Sequence, residues 1–196
     1  MSDVDSGGEL VRYHRWLRIY GLNDSHSGNA SIRRTDRMVI TPTGCCADTL
    51  TPENLVETAL TALPADGASL DAALHLAIYA ARPDVKAIIH SHGPHAIAMT
   101  LDGRDFVPID FEGQYYFKRV AVVDIPYENY VDDSPSSVAG ALAESNVVIV
   151  RGHGIYACGE TLDLAYKWTC SVESAAKIAW LDNLSGDRTH RELNWL

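Results

Sequence analysis

Residues 69–93 read SLDAALHLAIYAARPDVKAIIHSHG, and this stretch decides the fold. Leu70, Leu74, Ala77 and Ile78 fall on one face at helical spacing. Ser69 is placed to cap that helix, and Pro83 forbids its continuation past Arg82. The next run, VKAIIHSHG, is short and β-branched, which predicts a buried strand. A helix feeding directly into a buried strand is the repeating unit of an α/β protein.

The same alternation extends in both directions. Upstream, Leu10, Tyr13, His14, Leu17 and Tyr20 recur at helical spacing, and Gly21 closes that helix. GLNDSHSGNASIRR reads as a tight loop entering a strand, and RMVITPTG as a strand stopped by a Pro-Thr-Gly turn. Thr51-Pro52-Glu53 starts a short helical turn, whereas LVETALTAL admits either strand or helix. Downstream, PHAIAMTL opens a helix with Pro94, RVAVVDI is a strand, and SPSSVAGALAES is a helix starting at Ser134-Pro135. NVVIVRGHGIYACG predicts two strands turning at Gly152-His153-Gly154, followed by a helix from about Thr161 to Leu181. The last residues, SGDRTHRELNWL, form a polar tail in which Leu193 and Trp195 are possible docking points. There is no repeat, low-complexity tract or linker, so a single α/β domain over 1–196 is expected, with helices on both sides of a sheet.

Size agrees: 196 residues with 46% hydrophobic content fill one core but not two. The 16 Lys and Arg face 26 Asp and Glu, a formal net charge of −10. Such a surface repels a phosphate backbone, so no nucleic-acid role is expected, and an anionic ligand requires a local pocket. The acidic start MSDVDSGGEL lacks the pattern of a signal peptide, and no stretch approaches the roughly 20 apolar residues that span a bilayer, so no membrane role is expected. Cys45, Cys46, Cys158 and Cys170 form no C-x-x-C pair, which predicts reduced, mostly structural cysteines and a cytoplasmic location.

The sharpest chemical signal is His90-Ser91-His92 at a strand end. Alternate strand residues project to one face, so both imidazoles point the same way at a spacing that suits one metal ion. A pair of surface or capping histidines is the plainer alternative. His153, between two glycines at the end of VVIV, adds a third imidazole that would leave coordination positions open, as catalytic sites do; taken alone it is also a turn residue. His95 belongs to the following helix, and His14, His26, His75 and His190 have no partner at ligand spacing. Asp71 lies in the first turn of its helix, where the dipole alone favours an acid. Its functional reading is a carboxylate beside the metal, as fourth ligand, general base, or both in turn. Gly28-Asn29-Ala30-Ser31 and Thr43-Gly44 are small polar turns able to nest a phosphate, with Ser69 adding a hydroxyl and a helix N-terminus.

The ordered set GNAS, TPTG, SLD-helix-RPD, HSH and RGHG-strand resembles the class II aldolase/adducin family over about Leu10 to Leu181, with the closest likeness to its L-fuculose-1-phosphate aldolases. The resemblance implies a three-layer αβα sandwich, a homotetramer with active sites at subunit interfaces, and Zn2+ (or Mn2+, Fe2+ or Co2+) on His90, His92 and His153. It implies phosphate binding by Gly28, Asn29, Thr43, Gly44 and Ser69, and Tyr130 as an aromatic residue of the site. The implied reaction is reversible retro-aldol cleavage of a phosphorylated ketose to dihydroxyacetone phosphate and an aldehyde. The family's aldolases carry glutamate where this chain has Asp71, as ligand and acid/base, whereas its ribulose-phosphate 4-epimerases carry aspartate. Leu70 replaces a second phosphate-loop serine, Glu112 stands near the aldolase tyrosine acid, and Gln114 stands near the epimerase aspartate. 4-Epimerisation of a pentulose phosphate or decarboxylation of a related sugar-acid phosphate is thus the alternative chemistry, and a non-catalytic adducin-like module a further one.

Overall fold

A computed structural model describes residues 3–185. Seven strands form one sheet in the order β3-β2-β1-β4-β7-β6-β5, with β1 (Asn29–Arg33), β2 (Arg37–Ile40), β3 (Val56–Ala59), β4 (Ala87–Ser91), β5 (Ala121–Val123), β6 (Val147–Val150) and β7 (Gly154–Gly159). Every neighbouring pair is antiparallel except β5 and β6. The ambiguous segment LVETALTAL contributes the edge strand β3, paired with β2 along its whole length.

Alternation along the central strands divides the core into layers. Ile88 of β4 and Tyr156 and Cys158 of β7 pack into one apolar cluster with α2 (Ala72–Ala81) and α5 (Tyr130–Ala141). On the opposite face Ala87 and Ile89 pack with α1 (Asp3–Ile19), while Ile155 and Ala157 pack with α3 (Pro94–Met99) and α6 (Leu162–Ser185). The short α4 (Phe111–Tyr116) leans on α6. The expected sandwich of helices around a sheet is therefore present. No helix among the described residues is long and apolar enough to cross a membrane. The tail that carries Leu193 and Trp195 lies outside the described residues.

Three local expectations need correction. First, the helix expected from Ser69 starts at Ala72, with Asp71 at its N-cap position and Leu70 exposed to solvent. Ser69 is held back because its N–H donates to Thr41 O, next to the bridge between Pro42 and Ala68. Second, α5 begins at Tyr130, not Ser134, and carries Pro135 inside. The 3-10 turn Tyr127–Asn129 runs straight into it, and near a helix start the missing proline N–H removes one bond only. Third, Asn29-Ala30-Ser31 is strand and not turn: the left-handed Gly28 (φ 71°) ends the loop, and Ala30 N–H already donates to Thr41 Oγ1.

His14 and His75 are buried among these layers, and burial pushes both imidazoles down from 6.5 to about 4. The unfolded chain then binds protons that the folded chain does not. Their contribution is complete above about pH 6.5 and is lost as pH falls toward 4. Urea denaturation of the chelator-treated protein should give lower stability at pH 5 than at pH 7. His14→Leu should flatten that dependence by about 1.4 kcal/mol per pH unit between pH 5 and 6. A slope equal to that of wild type would show that His14 is not held neutral.

Candidate metal centre and active site

The site forms where three strands end together. In the register, His90 of β4 faces Asn29 of β1 on one side and Tyr156 of β7 on the other. Strand β4 stops at Ser91, and the His92 N–H is fixed by Leu22 O and Asn23 Oδ1, each at 2.8 Å. His153 sits in the β6–β7 turn, its N–H donating to Val150 O, after the left-handed Gly152 (φ 67°). Gly154 is required for a different reason. A Cβ there would stand 2.2 Å from Ser91 O and 3.1 Å from His90 Cε1, so only glycine lets β7 close on β4.

These contacts bring the expected imidazoles together. His90 Nε2 lies 2.9 Å from His92 Nε2 and 3.0 Å from His153 Nε2. The ligand atoms of all three residues lie within 4.8 Å of one another, the one such group among the described residues. His90 Nδ1 is 3.0 Å from Ile155 O, a contact it can make only as donor, which leaves the Nε2 lone pair facing the other rings. Burial pushes His90 well below the ordinary imidazole range and lowers His92 and His153 as well. His90 therefore turns an Nε2 lone pair toward His92 and His153, whose Nε2 atoms lie within hydrogen-bond distance of it.

Asp71 stands beside this cluster, its Oδ2 4.0 Å from His90 Nε2. Its side chain does not cap α2 but turns into the site. Asn29 Nδ2 and Tyr156 OH donate to Oδ2, each at 2.8 Å, and Tyr130 OH donates to Oδ1 at 2.9 Å. The two phenol hydroxyls also touch each other. Burial resists ionisation of Asp71, but His90, the Asn29 amide, His75 and the Tyr156 hydroxyl outweigh it and hold the carboxyl down at about 2. Burial and the Asp71 charge raise both tyrosines above the ordinary phenol value, so they stay protonated as donors. At neutral pH the site is one carboxylate, whose donors are a neutral amide and two neutral phenols, beside three neutral imidazoles. That donor set fits a divalent cation, whose tetrahedral form holds its nitrogens about 3.3 Å apart at zinc–imidazole bond lengths.

The predicted phosphate residues are placed less uniformly. Asn29 is turned onto Asp71, with its Oδ1 buried and unpaired. Thr43 N–H donates to Gly67 O and Ser69 N–H to Thr41 O, so neither amide is free for an anion. Ser69 Oγ accepts from Asp71 N–H at 3.3 Å. Thr43 and Gly44 are exposed, and Gly44 is left-handed (φ 60°). Gly28 is closed in by the Asn23 side chain, which a Cβ would meet at 2.2 Å. An open cleft of about 760 Å³ runs from His92 and His153 past Tyr130 to Leu70, Ile97 and Ile125.

Two residues escaped sequence reasoning. Tyr156 stacks on the His90 ring, with centroids 4.1 Å apart and planes 7° apart. Glu173 reaches from α6 to the start of α3. Its oxygens accept from His95 N–H, Ala96 N–H and His95 Nδ1 at 3.1, 3.0 and 2.6 Å, bracing the turn after His92. His95 is thereby committed away from the cluster. The available signal for Glu173 was an acid inside the buried stripe Thr169, Val172, Ala176.

A seven-stranded α/β sandwich with a metal-capable three-histidine site at one sheet end defines the class of this protein. The family model of the class II aldolase and adducin N-terminal domain matches residues 8–180, and the chain belongs to that family, as a lyase of the aldolase type. The L-fuculose phosphate aldolase of Haemophilus influenzae is 30% identical over 167 residues, 80% of this chain and 73% of that protein. A 5-methylthioribulose-1-phosphate/5-deoxyribulose-1-phosphate aldolase of Escherichia coli is 30% identical over 172 residues, 83% of this chain and 78% of that protein. The structure of L-fuculose-1-phosphate aldolase from Thermus thermophilus matches with a TM-score of 0.86 at 30% identity, over 93% of this chain and 96% of that one.

Gly154→Ala should lower stability by about 1–3 kcal/mol, the usual cost of overpacking, because Ser91 O is backbone and cannot turn away. Chemical denaturation of the metal-free variant measures this, and a stability equal to wild type would contradict the close β4–β7 approach.

Proposed function

We propose that this chain catalyses reversible retro-aldol cleavage of a phosphorylated ketose of the L-fuculose-1-phosphate kind, giving dihydroxyacetone phosphate and an aldehyde. The observation that carries this reading is the convergence of His90, His92 and His153 beside the ionised Asp71. Relatives at 30% identity bear names of two such aldolases, which supports the same substrate class. His90, His92 and His153 would hold Zn2+ or a similar divalent ion, which supplies Lewis-acid charge that draws electron density from the ketose carbonyl.

The protein's own groups do the rest. In the cleavage direction the C3–C4 bond breaks. Asp71 takes the proton from the C4 hydroxyl, C4 departs as the aldehyde carbonyl, and the bonding pair stays on the three-carbon fragment. Return of that proton to C3 completes dihydroxyacetone phosphate. Tyr130, at the wall of the cleft and bonded to Asp71, positions the carboxylate and touches the substrate side. The hydroxyls of Thr43 and Ser69 and the exposed Gly44 backbone are the groups of this chain assigned to the phosphate, which anchors the remote end of the substrate. A homotetramer belongs to the same reading, supported by the exposed apolar Leu70, Tyr127 and Val131 at the cleft mouth. A cytoplasmic location also belongs to it, supported by four free cysteines.

A 4-epimerase acting on a pentulose phosphate is the second reading, favoured by aspartate at position 71 in place of the aldolase glutamate. Zinc-loaded protein incubated with L-fuculose 1-phosphate, 5-deoxyribulose 1-phosphate and L-ribulose 5-phosphate separates the two. Free aldehyde together with dihydroxyacetone phosphate is expected. Epimer without aldehyde would transfer the assignment to the second reading, and no turnover of any ketose phosphate would remove both. His92→Ala should lose bound zinc, from about one per chain to under a tenth of that by elemental analysis. Asp71→Asn should keep a folded protein and lower kcat by about 100-fold or more, in the range of a general base.

A further inference from the structure

Of the three clustered imidazoles, His90 lies within β4 and His153 between the paired strands β6 and β7, whereas His92 lies past the end of its strand, which stops at Ser91. Gly93 and Pro94 follow it and open the six-residue α3. A glycine beside a ligand leaves the backbone free to swing unless something outside the strand holds it. That hold comes from α6. Glu173 is set among the buried Thr169, Val172 and Ala176, and its side chain is only 12% exposed. Taking a carboxylate out of water is costly unless hydrogen bonds replace the lost solvation. Here three do. Glu173 Oε1 accepts the His95 N–H at 3.1 Å and lies 2.6 Å from His95 Nδ1, and Oε2 accepts the Ala96 N–H at 3.0 Å. A carboxylate only accepts, so His95 Nδ1 is the donor. The His95 ring also meets Trp180 of α6 edge-on, with centroids 5.4 Å apart. Gly93 is packed against the same carboxylate: a Cβ there would stand 2.4 Å from Glu173 Oε2 and 3.1 Å from Ile155 Cδ1. One acidic side chain of α6 therefore completes the hold on the corner 92–96 that Leu22 O and Asn23 Oδ1 begin at the His92 N–H.

We propose that Glu173 is a positioning residue for His92: by pinning the corner 92–96 to α6 it keeps the His92 imidazole aimed at His90 and His153, so that the affinity of the site for a divalent cation depends on it. Its own oxygens are committed to α3, and it acts through the backbone of the corner, not as a ligand. This rests on the metal reading of the site given above.

Glu173→Ala removes all three bonds at once. A merely structural role for Glu173 and a positioning role both lower the melting temperature of the metal-free variant, so stability alone does not separate them. Zinc affinity does, measured by competition with a chromophoric chelator. Leu162→Ala is the control: it truncates a buried side chain at the other end of α6, in the layer against α1, and leaves the corner 92–96 alone. The expected result is zinc affinity weakened about 10- to 100-fold in Glu173→Ala, the range for groups that orient a ligand from outside the shell. Leu162→Ala should melt at a lower temperature than wild type yet bind zinc within threefold of it. Weakening of more than threefold confined to Glu173→Ala supports the assignment. Affinity of Glu173→Ala within threefold of wild type, or an equal loss in Leu162→Ala, overturns it. Should Glu173→Ala fail to fold, Glu173→Gln takes its place, since one amide oxygen cannot replace two carboxylate oxygens for three donors, and the same threefold limit decides. Wild type that takes up no zinc overturns the metal reading and this assignment together, whereas zinc-binding wild type with an unaffected Glu173 variant overturns this one alone.

Discussion

Three imidazoles whose nitrogens gather within 4.8 Å, next to a carboxylate that is buried and charged, form the constraint on which the rest of this structure depends. The hydrogen-bond donors on Asp71 are a neutral amide and two neutral phenols. A divalent cation would take the nitrogens as ligands and offset the carboxylate charge. The burial that lowers the pKa of His90, His92 and His153 favours the neutral form that a metal ligand needs.

The sheet exists in the form that makes this meeting possible. Antiparallel pairing of β4 with β1 and β7 sets Asn29, His90 and Tyr156 side by side, and a slip of one residue in either pair would turn His90 away from its neighbours. Gly154 lets the two central strands close beside His90. Clamps from outside the sheet then fix the pieces that strands cannot hold. Asn23 fixes the His92 backbone, and Glu173 pins the start of α3 just beyond it. The site is therefore held by backbone register and buried hydrogen bonds, while its open side faces a cleft lined by Leu70, Ile97 and Ile125.

Much of this was legible in the sequence, for reasons that are physical. The H-x-H spacing and the glycines flanking His153 encode ligand geometry locally, and the apolar runs around them encode buried strands. What the sequence left hidden depends on pairing. Tyr156 reads as one more core residue of a β-branched strand until β7 is known to lie against β4. Asn29 reads as a phosphate-loop residue, yet the register delivers its amide to Asp71. Ser69 has the chemistry of a helix cap but is tied to Thr41 across a bridge that no local pattern announces. Pro135 looks like a helix start because proline favours first turns, while the preceding 3-10 turn had already begun the helix.

Family membership and geometry thus meet in one picture: three histidines that would hold a divalent ion, an aspartate hydrogen-bonded by two phenols and an amide, and an apolar-walled cleft leading away from them. The picture stands or falls on the ligand set. X-ray absorption spectroscopy at the zinc edge of the reconstituted protein measures it directly. The account predicts three imidazole nitrogens at about 2.0–2.1 Å, with the outer-ring scattering that identifies histidine. A spectrum with one imidazole or none, or one dominated by sulfur at about 2.3 Å, would contradict it.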